Sequence, residues 1–157
     1  MNLFEQMREL RKKFPELAPK LFHIRTKDRG IIPYNLSEAQ KRLCLDNSIG
    51  SDIILKARQL GISTHTILEF LSYCMFVEGF NGVIISEDRD KTKRLLYIAH
   101  LALDMMPEEY RIPREHSRED YIIFKAPPEG TGSSLYIGTA GQAHFGRGDT
   151  IHAAHCS

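Results

Sequence analysis

Residues 51–64 read SDIILKARQLGIST. An apolar run, Ile53-Ile54-Leu55, leads into a short connection that ends in Gly61 and then Ser63-Thr64, and a strongly apolar segment follows. Strand, glycine loop and helix in that order are the layout of a phosphate-binding loop. In such a loop backbone N–H groups wrap the phosphates, a lysine behind the glycine neutralises them, and a hydroxyl binds magnesium. The helix that follows adds the positive end of its dipole. Gly61 fills the second glycine position and Ser63 the magnesium-hydroxyl position, but Ile62 stands where the lysine belongs. Lys56 lies five residues before Gly61, where the first glycine would be, and Arg58 is a second cation nearby. Positive charge therefore enters the loop from its front. On pattern alone, glycine followed by Ser-Thr is also a plain helix start, and both readings stand at this point.

Working outward, residues 63–79 carry Ile67, Leu68, Phe70, Leu71, Cys74, Met75 and Phe76 around nearly the whole circumference, which predicts a deeply buried helix. GFNG (79–82) stops it. VIIS (83–86) reads as a short buried strand, and Ser86 or Asp88 caps a helix running to about Met106, before Pro107. YIIF (121–124) and SLYIG (134–138) read as an antiparallel or added pair, and TIHAAHC (150–156) as a last strand. Upstream, MNLFEQMRELRKKF (1–14) is an amphipathic helix with Leu3, Met7, Leu10 and Phe14 on one side, ended by Pro15 and Pro19. RTKDRGIIPYNLS (25–37) reads as a loop. Ser37 and Gln40 make a capping box for a helix over 38–46, and residues 52–56 read as a strand. Short apolar strands beside long helices predict an α/β layered domain with a mostly parallel sheet.

Composition sets the bounds. The chain of 157 residues suits one domain, and 42% hydrophobic with 26% charged residues is the balance of a globular protein. A formal net charge of +1 makes no case for nucleic acid or membrane. Cys44, Cys74 and Cys156 are odd in number and widely spaced, which argues for a reducing compartment and against a disulfide framework. No apolar run reaches the roughly 18 residues that cross a bilayer, and the charged N-terminus lacks a signal-peptide core. His144, His152, His155 and Cys156 invite a zinc reading. A strand, however, sets His152 and His155 on opposite faces, which fits one ion poorly. Asp149 reads as a turn residue.

The string KARQLGIST, with a strand before and a helix after, resembles the large subunit of tailed-phage terminases, the ATPase that drives DNA into a capsid. GIIPYNLSEAQKRL (30–43) is similar to that family's adenine motif. YIGTAGQAHFGRGDTIHAAHCS (136–157) is similar to its strand, arginine-glycine loop and second ATPase strand. The three pieces stand in the family's order, and the resemblance runs from about Asp28 to Ser157. It implies a P-loop NTPase fold of the ASCE type, with residues 1–27 an N-terminal amphipathic helix and linker and residues 28–157 the ATPase domain.

The resemblance further implies ATP and Mg2+ as cofactors. Tyr34 would stand beside the base, and Gln40 would offer its amide donor and acceptor to the adenine edge. Lys56, Gln59, Gly61, Ile62, Ser63 and Thr64 would form the phosphate site. Lys56 would be the displaced lysine, Ser63 the Mg2+ ligand, and Thr64 the helix cap at the α-phosphate. Arg58 would touch the γ-phosphate, and Arg147 in FGRGD would be an arginine finger. The partners implied are double-stranded DNA, further copies in a homo-oligomeric ring, the small terminase subunit and the portal, in the host cytoplasm and away from membranes.

In the family an acidic pair follows the last strand; here Ser157 takes the place of the first acid. The expectation is therefore a piece truncated before the Walker B acids and the nuclease domain, which binds ATP and turns it over very slowly. Two alternatives remain. One is another P-loop DNA-translocating ATPase, helicase-like. The other is a non-catalytic α/β module that docks partners, with the N-terminal helix as its working part. Each site residue also has a plainer role: Gln40 as a cap partner, Tyr34 as crevice filling, Arg147 as the pin of a turn.

Overall fold

The structure, a computed structural model, describes residues 1–45, 53–54, 61–117, 120–141 and 150–157. Helix α1 spans Leu3–Leu21. Asn2 and Glu5 start it with a capping box: Asn2 accepts from the Glu5 N–H at 2.9 Å, and Glu5 accepts from the Asn2 N–H at 2.8 Å. The helix does not end at Pro15, as the sequence led us to expect, but carries both Pro15 and Pro19. An interior proline costs about 3 kcal/mol through its lost N–H and its clash with the preceding turn. Against that cost, Phe14, Ala18 and Leu21, with Phe22 just beyond, are fully buried. Each large apolar side chain so buried returns roughly 1.5–3 kcal/mol, and that burial keeps the last turns helical.

Residues 25–37 are not a plain loop either. Strands β1 (His23–Thr26) and β2 (Gly30–Pro33) pair antiparallel, with Thr26 opposite Gly30. Three residues connect them, Gly30 follows at φ 71, and Thr26 Oγ1 accepts from the Arg29 N–H at 3.1 Å. That is a short hairpin turn closed by a left-handed glycine. Helix α2 (Glu38–Leu45) then starts at the expected capping box. The Ser37 N–H donates to Gln40 Oε1 at 2.8 Å, and the Gln40 N–H meets Ser37 Oγ at 3.4 Å. Of the strand expected over 52–56, only Ile53 and Ile54 fall among the described residues. They belong to no strand, and Ile53 is 91% exposed.

Helix α3 (Ile62–Phe76) is buried almost all round, as its apolar circumference predicts. Strand β3 (Asn81–Ser86) leads into α4 (Arg89–Asp104), whose N-cap is Asp88, accepting from the Lys91 N–H at 2.7 Å. Strands β4 (Arg114–Ser117), β5 (Tyr121–Phe124), β6 (Ser134–Thr139) and β7 (Ala153–Cys156) complete one sheet of order β4-β5-β6-β3-β7. β3 is parallel to both β6 and β7, whereas β4–β5 and β5–β6 are antiparallel. The sheet is thus mixed rather than mostly parallel. The late pair is antiparallel as the sequence indicates, and β4 is an addition that the sequence reading missed. Helices α3 and α4 lie against β3 and β6, and α1 packs on α2 and α3. The core centres on α3, with Ile67, Leu68, Leu71, Ile84, Leu135 and Ile137 fully buried. The chain is α/β, with helices flanking a five-stranded sheet. Among the described residues no helix is long and apolar enough to cross a membrane.

Candidate functional site

The start of α3 is built around Gly61, at φ 67 and ψ 21, a left-handed conformation. An L side chain is disfavoured there. Space forbids it too: a Cβ on Gly61 would come 2.9 Å from Gln40 Nε2. Gln40 presses this close because its Nε2 donates to the Gly61 carbonyl at 3.0 Å. The same carbonyl accepts the first helical bond, from the His65 N–H at 2.9 Å. Among the described residues no side chain caps α3. The N–H groups of Ile62, Ser63 and Thr64 lie in its first turn, at the positive end of the helix dipole, where geometry and field both suit an anion.

The carboxyl edge of the parallel strands faces this helix start. β7 continues its ladder through Ser157, whose N–H donates to the Ile85 carbonyl at 2.8 Å. That bond fixes the Ser157 backbone, and the Ser157 Oγ lies 2.8 Å from Ser63 Oγ. At the neighbouring strand ends, Ser86 Oγ is 2.5 Å from Thr92 Oγ1, which is 2.7 Å from Thr139 Oγ1. The edge where open α/β sheets bind ligands is here lined with hydroxyls. Thr64 also lines a cleft of about 540 Å³, together with Arg25, Lys93, Arg94 and Tyr97.

The sequence-derived site residues divide into three sets. Gly61, Ile62, Ser63 and Thr64 share the α3 start, and Gln40 touches it. Gln40 is 6% exposed, with Oε1 on the Ser37 N–H and Nε2 on Gly61, so its amide is engaged within the protein. Tyr34 reaches the first turn of α3 through His65, not through Gly61 or the hydroxyls of 63–64. It is 2% exposed, and its hydroxyl is 3.4 Å from His65 Nδ1. Lys56, Arg58, Gln59 and Arg147, with His144 and Asp149, lie outside the described residues. His152 accepts the Asn81 N–H at 3.0 Å and stacks on Phe80.

A buried polar cluster behind the helix start went unread in the sequence. Glu69 Oε1 pairs with Arg11 Nε at 3.1 Å and accepts from the Tyr73 hydroxyl at 2.9 Å. His65 Nε2 lies 3.9 Å from Glu69 Oε2 and 3.9 Å from Cys44 Sγ. Burial raises the Glu69 carboxyl above its ordinary value, against the pull of Arg11 and Tyr73. Burial, with Arg11 nearby, lowers His65 to about 4, and burial pushes the Cys44 thiol up to about 12. The signal was present: His65, Glu69 and Tyr73 recur every four residues on a largely apolar helix, which places them on one face.

No protein-family model matches this chain, and no curated protein matches it.

Proposed function

We propose that the chain is the ATP-binding part of a DNA-packaging motor of the terminase large-subunit kind. The start of α3 would hold the triphosphate, and Ser63 would hold its magnesium. The observation that carries this reading is the meeting of Ser63 with Ser157 at 2.8 Å, behind a left-handed Gly61. In a P-loop ATPase the hydroxyl of the loop and the residue at the end of the second ATPase strand share the magnesium shell. Ser63 has its place from the loop pattern and Ser157 from the family resemblance, and they are 94 residues apart in the chain. The parallel strands β6, β3 and β7 all end at this edge, with hydroxyls at Thr139, Ser86 and Ser157. Magnesium bound there would screen phosphate charge. Ser63 would be one of its ligands, the first-turn amides of α3 would hold phosphate oxygens, and Lys56 would neutralise them from the front of the loop. Ser157 offers a hydroxyl where a carboxylate would bind the magnesium shell more strongly, so turnover by this chain is slow.

Calorimetry with ATP and Mg2+ tests the reading. The wild type binds, and Lys56→Ala binds at least about tenfold more weakly, a loss of about 1.4 kcal/mol. Ser63→Ala abolishes the difference between binding with and without Mg2+. Equal affinities for wild type and Lys56→Ala, or no binding by the wild type, would overturn it.

A second reading, a non-catalytic α/β module, is favoured by one observation. Gln40 and Tyr34, the two residues assigned to the base, both spend their polar atoms inside the protein. Under that reading ATP leaves the melting temperature unchanged.

A further inference from the structure

Cys44 on α2 and His65 and Glu69 on α3 are each buried, and one ligand atom from each lies within 4.8 Å of the other two. We propose that these three side chains bind a zinc-type divalent cation. The site is separate from any magnesium at Ser63, and its chemistry does not depend on the nucleotide reading.

Three features of the geometry carry the proposal. The first is spacing. His65 Nε2 faces Cys44 Sγ at 3.9 Å and Glu69 Oε2 at 3.9 Å, too far for an N–H···O hydrogen bond to the carboxylate. A tetrahedral zinc with bonds of about 2.0–2.3 Å holds its ligand atoms roughly 3.3–3.6 Å apart. Rotamer adjustments close the His65–Glu69 gap, the two being one turn apart on the same helix face, and the Cys44–Glu69 pair, within 4.8 Å, closes by Cys44 moving toward α3 as the ion binds.

The second feature is the outer shell. A metal-bound imidazole holds its other nitrogen as N–H against an acceptor. His65 Nδ1 has the Tyr34 hydroxyl at 3.4 Å. Glu69 Oε1 is held by Arg11 Nε at 3.1 Å and by the Tyr73 hydroxyl at 2.9 Å. Those contacts leave Oε2 turned toward the imidazole.

The third feature is donor chemistry. Thiolate, imidazole and carboxylate together suit a borderline ion such as Zn2+, whereas Mg2+ and Ca2+ take oxygen ligands. A neutral His65 already meets the ligand requirement, and Phe14 packs its ring edge-on against it at 5.5 Å. Binding displaces one proton, from the Cys44 thiol to solvent. Nothing is oxidised, and a water completes four-coordination. The bound ion would tie α2 to α3, one residue behind Thr64.

The test uses the whole chain, freed of metal by a chelator and titrated with Co2+ and then Zn2+. The expected result is one ion per chain, a thiolate-to-cobalt absorption band, and a rise in melting temperature with Zn2+. Cys156→Ser retains all three. Cys44→Ala, checked for folding by circular dichroism in chelator, loses the band, and Tyr34→Phe weakens Zn2+ roughly 10–100-fold, the usual effect of an outer-shell loss. Absence of the band in folded wild type overturns the proposal without recourse to any variant. So does a band that survives in Cys44→Ala or disappears in Cys156→Ser.

Discussion

Replacing Gln40 by alanine separates its two assigned roles. In the structure Oε1 accepts from the Ser37 N–H at 2.8 Å, and Nε2 donates to the Gly61 carbonyl at 3.0 Å. Loss of the first is loss of half a capping box, about 1 kcal/mol. Loss of the second costs about another 1 kcal/mol, the net worth of a neutral hydrogen bond. The penalty stays near that value because neither partner is stranded: Ser37 is exposed to water, and the Gly61 carbonyl keeps its bond from the His65 N–H. The expected total is about 2 kcal/mol, or about 4–8 °C in melting temperature for a domain of this size. Gln40→Glu sharpens the test. Its carboxylate can still accept from Ser37 but sets a charged oxygen against the Gly61 carbonyl. Burial beside that carbonyl raises its folded pKa, so the variant gains stability as pH falls through that value toward the ordinary value of about 4.3. Scanning calorimetry without nucleotide, from pH 7 down to pH 5, reads both effects. A Gln40→Ala variant that melts with the wild type would show that the carboxamide is not anchored, and the account of how α2 is tied to the start of α3 would be wrong.

Gly61→Ala forces a side chain into a left-handed conformation, at roughly 1–2 kcal/mol, and displaces Gln40, which a Cβ would approach to 2.9 Å. Chemical denaturation should show a loss near 2–3 kcal/mol, and an unchanged midpoint would contradict the assigned backbone. The three thiols give a further check. Cys156 is exposed, whereas Cys44 and Cys74 are buried, and burial pushes Cys44 up to about 12. At pH 8 a thiol of that pKa is ionised in only about one molecule in ten thousand, and the thiolate is the reacting form. A disulfide reagent should therefore titrate one thiol fast and the other two at the rate of unfolding. A second fast thiol in the metal-free native chain would refute the burial of Cys44 or Cys74.

What the sequence disclosed, and what it hid, follows from the range of each interaction. Local signals were legible. The capping box at Ser37 and Gln40, the cap at Asp88, and the buried circumference of α3 all depend on residues within a few positions of one another. Pro15 and Pro19 misled because their local cost is offset by burial of Phe14, Ala18 and Leu21, which only the assembled core decides. The hairpin at 23–33 was missed although its turn carries a signal, DRG with glycine last. Its strands are four residues each and mostly unburied, so apolar alternation barely registers there. The mixed sheet was half legible: continuous apolar runs mark β3 and β6 as interior, but nothing in a run of four residues states its direction. For the site, the glycine and the hydroxyls of 61–64 were found by motif. The His65–Glu69–Tyr73 face is masked in the sequence by the apolar residues that surround it on α3.

That polar face has a structural consequence for the site. The apolar circumference of α3 secures its burial but is nearly indifferent to rotation about the helix axis, since most turns of the helix present an oil-like surface. The polar stripe is not indifferent. Only one rotation sets Glu69 against Arg11 and sets His65 against Tyr34. Any other would part the buried carboxylate from its guanidinium, at several kcal/mol. The rotation so fixed is also the one that aims Ser63 at the end of β7. The position of Ser157 is set separately, by the parallel register that pairs Ile85 with Cys156 and by the bond from the Ser157 N–H to the Ile85 carbonyl. Two independent constraints, one inside the helix packing and one in the sheet ladder, therefore converge on a single oxygen–oxygen contact of 2.8 Å. A contact specified twice over is rigid, and rigidity is what an anion or a metal shell requires of the groups that hold it.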